Sequence, residues 1–218
     1  MKMKNFPILT ISGYLIFSVY YGFLFIAALI YGQPVDPIYA FFPSDYGNYE
    51  INPDGAFFYD LGTILAGCLL FPFCIGLFKW RGQGNRSNKI LLLGQISGCC
   101  AGIGLIFGGS FSNDTWSSDI HYMAAIAIFF FLFLTFIFTT IALFKHPKMS
   151  RVVSIYCVLV MVVDIFLATL QMAILEWITI FTAMLYVVLI SRTTWKNNIE
   201  SISSSRSSQG IDKLEKKR

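Results

Sequence analysis

Few residues of this chain can do more than pack. Asp60, His121 and Glu176 fall at the edges of apolar segments, where a carboxylate near an imidazole could pass a proton, hold a polar headgroup or pin a loop. Gln95, Asp164 and Gln171 fall within or beside such segments. Asp164 shares one helical face with Ala168 and Gln171, at spacings of four and seven residues, and that face should turn inward. No apolar segment holds a Lys or Arg to pair with Asp164, so the expected state is a protonated side chain hydrogen-bonded inside a bundle, with a proton relay or ion site as the alternative.

Other chemistries are poorly supplied. A nucleophile beside a base is offered only by Ser117 or Ser118 before His121. The 2 histidines, His121 and His146, fall on opposite sides of the membrane read below, so a three-histidine zinc site cannot be assembled, and no metal or cofactor is expected. All 5 cysteines (Cys68, Cys74, Cys99, Cys100 and Cys157) lie inside apolar segments and read as buried, inert thiols.

The elements that must position these groups are membrane helices. With 56% hydrophobic, 17% aromatic and 13% charged residues, the chain has too little polar surface for a soluble domain of 218 residues. Apolar runs predict helices at 8–32, 57–80, 90–109 and 122–144. The run 152–191 is about twice the length of one span. Basic residues bracket it on both sides, so it must cross out and back, as helices 152–171 and 175–191 around a turn.

The expected fold is therefore an all-α, six-span polytopic bundle over 1–191, followed by a Ser-rich, disordered cytoplasmic tail over 192–218. All 16 Lys and Arg then lie on one side, which places both termini in the cytoplasm of a multi-pass cell-membrane protein. The opposite side carries Asp36, Asp45, Glu50, Asp54, Asp114, Asp119 and Glu176. Gly94, Gly98 and Gly102 form a row on the third helix, repeated by Gly104 and Gly108. The row predicts close contact with neighbouring helices and a central position for this one. The fourth helix, ringed by phenylalanines, is expected to pack tightly at Ala124–Ala127 and to face lipid beyond.

Several short motifs fall between these helices. Pro43-Ser44-Asp45-Tyr46-Gly47 is followed by Asn52-Pro53-Asp54-Gly55-Ala56-Phe57-Phe58-Tyr59-Asp60-Leu61-Gly62, then by Gly109-Ser110-Phe111, His121-Tyr122-Met123-Ala124-Ala125 and Leu175-Glu176-Trp177. Together they resemble the six-helix prokaryotic membrane proteins of domain of unknown function 998. More distantly, they resemble the DRAM/Frag/Sfk membrane proteins, which share an outer Ser-Asp-x-Gly loop and a His-x-x-x-Ala helix start. The chain departs from that pattern at Tyr46, where Leu or Thr is more usual, and at the Ser-Phe-Ser of the second loop, where Phe-Pro is common. The resemblance implies a shared fold and a polar outer face built on motif residues such as Ser44, Asp45 and Gly47. It implies no reaction.

The function expected on these grounds is non-enzymatic: a membrane accessory or lipid-interacting protein with an acidic, His-containing pocket at its outer face. The alternative is a metal-independent membrane enzyme or a small proton-coupled transporter using the same residues. Transport calls for broken helices and an internal repeat, whereas Pro72 is the one proline inside a predicted helix and no repeat is evident. Membrane lipids are the expected partners, and a membrane-protein partner fits equally well. Nucleic acid is not expected, and the sequence leaves the oligomeric state open.

Overall fold

The computed structural model describes residues 7–32, 41–82, 84–112, 114, 118–144, 146–170 and 172–215, and their side chains except at 168, 202 and 205–215. It contains six α-helices: α1 (Ile8–Tyr31), α2 (Ala56–Gly76), α3 (Asn85–Ser110), α4 (Ser118–Leu143), α5 (Arg151–Leu170) and α6 (Ala173–Glu215). Two short 3-10 turns, Pro43–Gly47 and Leu77–Trp80, complete it, and there is no strand among the described residues. The protein is an all-α polytopic membrane bundle. Five helices are individually long and apolar enough to cross a bilayer: α1, α2 with its 3-10 extension, α3, α4, and α6 as far as Ser201. The 20 residues of α5 match the length of one span.

Apolar sequence makes these helices, and local chemistry ends them. At the end of α1, Gly32 takes φ 63°, a left-handed conformation open to glycine, and its N–H returns to the Ala28 carbonyl.

Each helix packs on its neighbours in sequence, and α6 returns to pack on α1, so the six close into a ring. The closing seam is tight. Thr10 Oγ1 donates to the Ser191 carbonyl at 3.2 Å, and a Cβ on Gly13 would run into Ser191 Oγ. This ring corrects the expectation of a central third helix, for α3 is one member of it, held between α2 and α4. Its glycines serve both sides. A Cβ at Gly102 would lie 2.9 Å from the Gly67 carbonyl of α2, one at Gly98 would strike Cys74 Sγ, and one at Gly94 would lie 2.9 Å from Thr139 of α4. Lipid gives helices no hydrophobic reason to associate, so backbone contact through missing side chains is what holds this seam.

Two further expectations are corrected. The buried residues of α4 are mostly Thr135, Phe136, Thr139, Thr140, Ala142 and Leu143, near its C-terminal end, so its Ala-rich start is the looser part. The reason is a cavity behind that start, described below. The second correction concerns the tail: α6 does not stop near Ser191 but runs unbroken for 43 residues, roughly 65 Å. Extending an existing helix carries no new nucleation cost. The serines add to it by donating to carbonyls one turn back, Ser201 to Asn198 and Ser204 to Ser201.

The two ends of the ring differ in charge. At one end, Trp80 Nε1 donates to Thr194 Oγ1 at 3.1 Å, Ser87 to the Ala142 carbonyl, and Asn197 to the Lys148 carbonyl. Those contacts gather Lys79, Arg81, Arg86, Lys89, Lys148, Arg151 and Arg192, and this is the basic end. At the other, acidic end, Tyr49 N–H donates to Asp114 and Ser112 donates to Asp60.

Candidate functional site

The acidic end is organised by the segment 41–55. Its Asp45 carboxylate accepts the Phe42 N–H at 2.8 Å, which shapes the Pro43–Gly47 turn. Asn52, 2% exposed, donates through Nδ2 to the carbonyls of Ala27 and Tyr46 and accepts the Gly55 N–H, tying the segment to α1. Tyr46 is buried in a cluster of rings with Tyr31, Phe41 and Trp177, and Trp177 Nε1 donates to the Phe41 carbonyl at 2.9 Å. Gly47 is required by close approach, because a Cβ there would lie 2.7 Å from both Asp60 Oδ1 and the Tyr59 ring.

This folded segment brings Ser44 to Glu176, which stands in the first turn of α6. Ser44 and the Glu176 side chain line the same cavity. Tyr20 and Tyr59, whose ring centroids lie 6.3 Å apart, line that cavity too. Sequence reasoning missed Tyr20, and it quoted Asn52 and Tyr59 within a motif without giving either a role. Their signal was present only as aromatic or amide residues near helix ends.

His121 is held from α4 against the end of α3. Its Nδ1 lies 2.9 Å from the Phe111 carbonyl and 3.2 Å from the Gly108 carbonyl. Both partners can only accept, so Nδ1 carries a proton, and Nε2 is the nitrogen that can accept in this tautomer. The carbonyls of α3 thus take the place expected for a carboxylate partner.

A cavity of about 120 Å³ lies inside the ring. Its polar lining at the acidic end is Ser44, Tyr20, Tyr59, His121 and Glu176, and its walls continue along Ala66, Leu105, Ala125, Ile128, Phe129, Leu132, Ile180 and Ala183 to Phe136 and Val187. From Glu176 to Val187 along α6 is about 16 Å, roughly half the thickness of a bilayer core. Its floor is a crossing of α4 and α6, where the Phe136 and Tyr186 rings meet edge to face at 5.1 Å and Thr139 shares a 2.9 Å hydrogen bond with Tyr186.

The expected site residues therefore divide. His121, Glu176 and Ser44 come together around one cavity. Asp60 is buried beside it but faces Gly47 and Ser112, accepting the Ser112 hydroxyl at 2.9 Å, while Oδ1 has no hydrogen-bond partner among the described residues. Gln95 serves packing, donating to the Cys74 carbonyl at 2.7 Å. Asp164 is 7% exposed, and neither of its carboxyl oxygens has a hydrogen-bond partner among the described residues. Gln171 and Ser117 lie outside the described residues.

The electrostatics of this end have one sign. Residues 33–78 contain no Lys or Arg, nor do residues 90–144. Burial, with Asp60 and Asp114 close by, pushes the Tyr49 phenol above its usual range. The sole ion pair among the described residues, Lys196 with Glu200 at 3.9 Å, is at the other end. The cavity carries a carboxylate, an imidazole and three hydroxyls at one end, and along the rest its lining is mainly hydrocarbon, with Thr63, Thr135, Thr179 and Tyr186 among it. Among the described residues, no group of three or more His, Cys, Asp or Glu could hold a metal ion.

The family model for proteins of unknown function designated DUF998 matches residues 15–193. The chain belongs to the DUF998 family. The match takes in every cavity-lining residue from Ile16 to Val187 and ends just past Ser191, so the projecting part of α6 falls beyond the DUF998 region. No curated protein and no solved structure matches the chain.

Proposed function

We propose that this DUF998 protein is a non-enzymatic, lipid-interacting membrane protein that holds the chain of an amphiphile inside its helix ring, with the head at the acidic end. The observation that carries this reading is the one-sidedness of the cavity: the ionisable Glu176 and His121, with Ser44, Tyr20 and Tyr59, at one end, and a shaft about 16 Å long below, lined mainly by Ala, Leu, Ile and Phe with a few threonines. A site for a small polar solute would need polar groups along its length, whereas an apolar shaft under a polar mouth suits a chain with a head. The segregation of Lys and Arg supports an orientation in the cell membrane with both termini cytoplasmic and the acidic end outside.

The test is to fill the shaft. Ala125, half-buried in the wall, is replaced by Phe, and parent and variant are purified in a neutral maltoside detergent. Mass spectrometry of the extracts is expected to find single-chain or acyl-chain lipid held by the parent and depleted about tenfold in Ala125→Phe, of the order that losing one well-filled pocket contact imposes. Equal retention in the two proteins, or none in the parent, would sink the reading.

A further inference from the structure

Resting on that reading, we propose that the head taken at the acidic end is a primary ammonium, so that the ligand class is a long-chain amine. The polar groups around the mouth are a carboxylate (Glu176), a ring nitrogen whose other nitrogen is already committed to carbonyls (His121 Nε2) and the hydroxyls of Ser44, Tyr20 and Tyr59. Each can accept a hydrogen bond, and among the described residues no Lys, Arg, Asn or Gln side chain lines the cavity. The hydroxyls can also donate, so the carboxylate decides between heads: a phosphate, sulfate or carboxylate would bring a second negative charge to Glu176 with no cation to offset it. An ammonium brings three donors and the opposite charge.

The surroundings act in the same direction. Asp45 lies near enough to Glu176 to repel it, and Asp60, buried with an unpartnered oxygen, stands behind Tyr59. No basic side chain exists in the segments that build this end, so the field at the mouth is negative and draws cations. The ring faces of Tyr20 and Tyr59, both nearly buried, add surfaces that favour a cation over a neutral head. The shaft accounts for the chain, and the mouth for the charge.

The experiment compares three probes that differ only in the head: dodecylammonium, dodecanol and dodecanoate, titrated at pH 7.5 into the full-length protein in maltoside detergent and read by native mass spectrometry. The expected order is ammonium, then alcohol, then carboxylate, with ammonium about tenfold or more tighter than alcohol, as a charge-assisted bond requires. Glu176→Gln is expected to collapse that ratio towards one. Should the variant fail to fold, Tyr20→Phe provides a smaller reduction of the same ratio. If none of the probes binds, the lipid-holding reading itself fails. If the alcohol binds and the ammonium binds no tighter, or if Glu176→Gln leaves the ratio intact, the head assignment alone is overturned.

Discussion

On one flank of α4 the contact with α3 is made by backbone, and on the other the contact with α5 is made by side chains. Towards α3, a Cβ at Gly94 or Gly104 would lie within 3 Å of Thr139 or Ile128. Towards α5, the fixed points are long and few: Cys157 Sγ donates to the Phe136 carbonyl at 3.4 Å, and Tyr156 reaches past it to the Thr182 carbonyl of α6. The same flank holds the two unmatched oxygens of Asp164. Where solvent gives no push, a seam is only as strong as its fit. The glycine flank is thus the part of the ring that resists opening, and the α5 flank the part that yields.

Overpacking the strong flank should have the largest effect. Gly94→Leu would drive a side chain into Thr139, and a loss of about 1–3 kcal/mol is expected, read as a lowered melting temperature in detergent. Phe130→Leu, on the exposed side of α4, serves as the reference. Equal melting temperatures would erase the distinction between the flanks. The weak flank makes the opposite prediction. Asp164→Leu removes a buried polar group that bonds to nothing described, so stability should rise by about 1–2 kcal/mol. A fall would reveal a working partner for that carboxyl and bring the flanks closer in kind.

The smallest effect concerns the junction at the basic end, where His146 meets the Trp80 ring edge to face at 5.0 Å and accepts the Lys148 N–H on Nδ1. Burial, and then Lys148, hold the His146 pKa below the ordinary 6.5. The folded protein therefore binds this proton less readily than the unfolded chain. The stability linked to it is complete above pH 6.5 and is lost as pH falls through the lowered value. His146→Phe should flatten this acid-side decline slightly in melting curves taken between pH 5 and 7.5. A profile unchanged from the parent would remove His146 from the junction.

How far the sequence could be read depended on whether a property was local. The apolar runs and the one-sided charges are local, and the helices begin and end within a few residues of their expected places except at the C-terminal end of α6. The glycine row was legible as a contact surface because spacing alone puts it on one face. What it touched was not, because a ring and a bundle around a central helix need the same row. The order of contacts separates them only once α1 meets α6. Glu176 and His121 stood out as ionisable residues at helix ends, yet Ser44 reaches Glu176 through a turn shaped by Asp45 and an anchor at Asn52, and no periodicity records either. The composition of the tail misled because serine counts as disordering in isolation, while here it follows an established helix.

The ring closes through residues as far apart as the chain allows. Thr10 waits for Ser191, 181 residues later. At the usual rate of synthesis that is roughly ten to forty seconds, during which α1 is already in the bilayer with one face unmatched. Until α6 arrives, that face is open to lipid. A ring assembled in this way can close around whatever lies in its centre, which would give the proposed amphiphile a route of entry without any later opening of the strong flank.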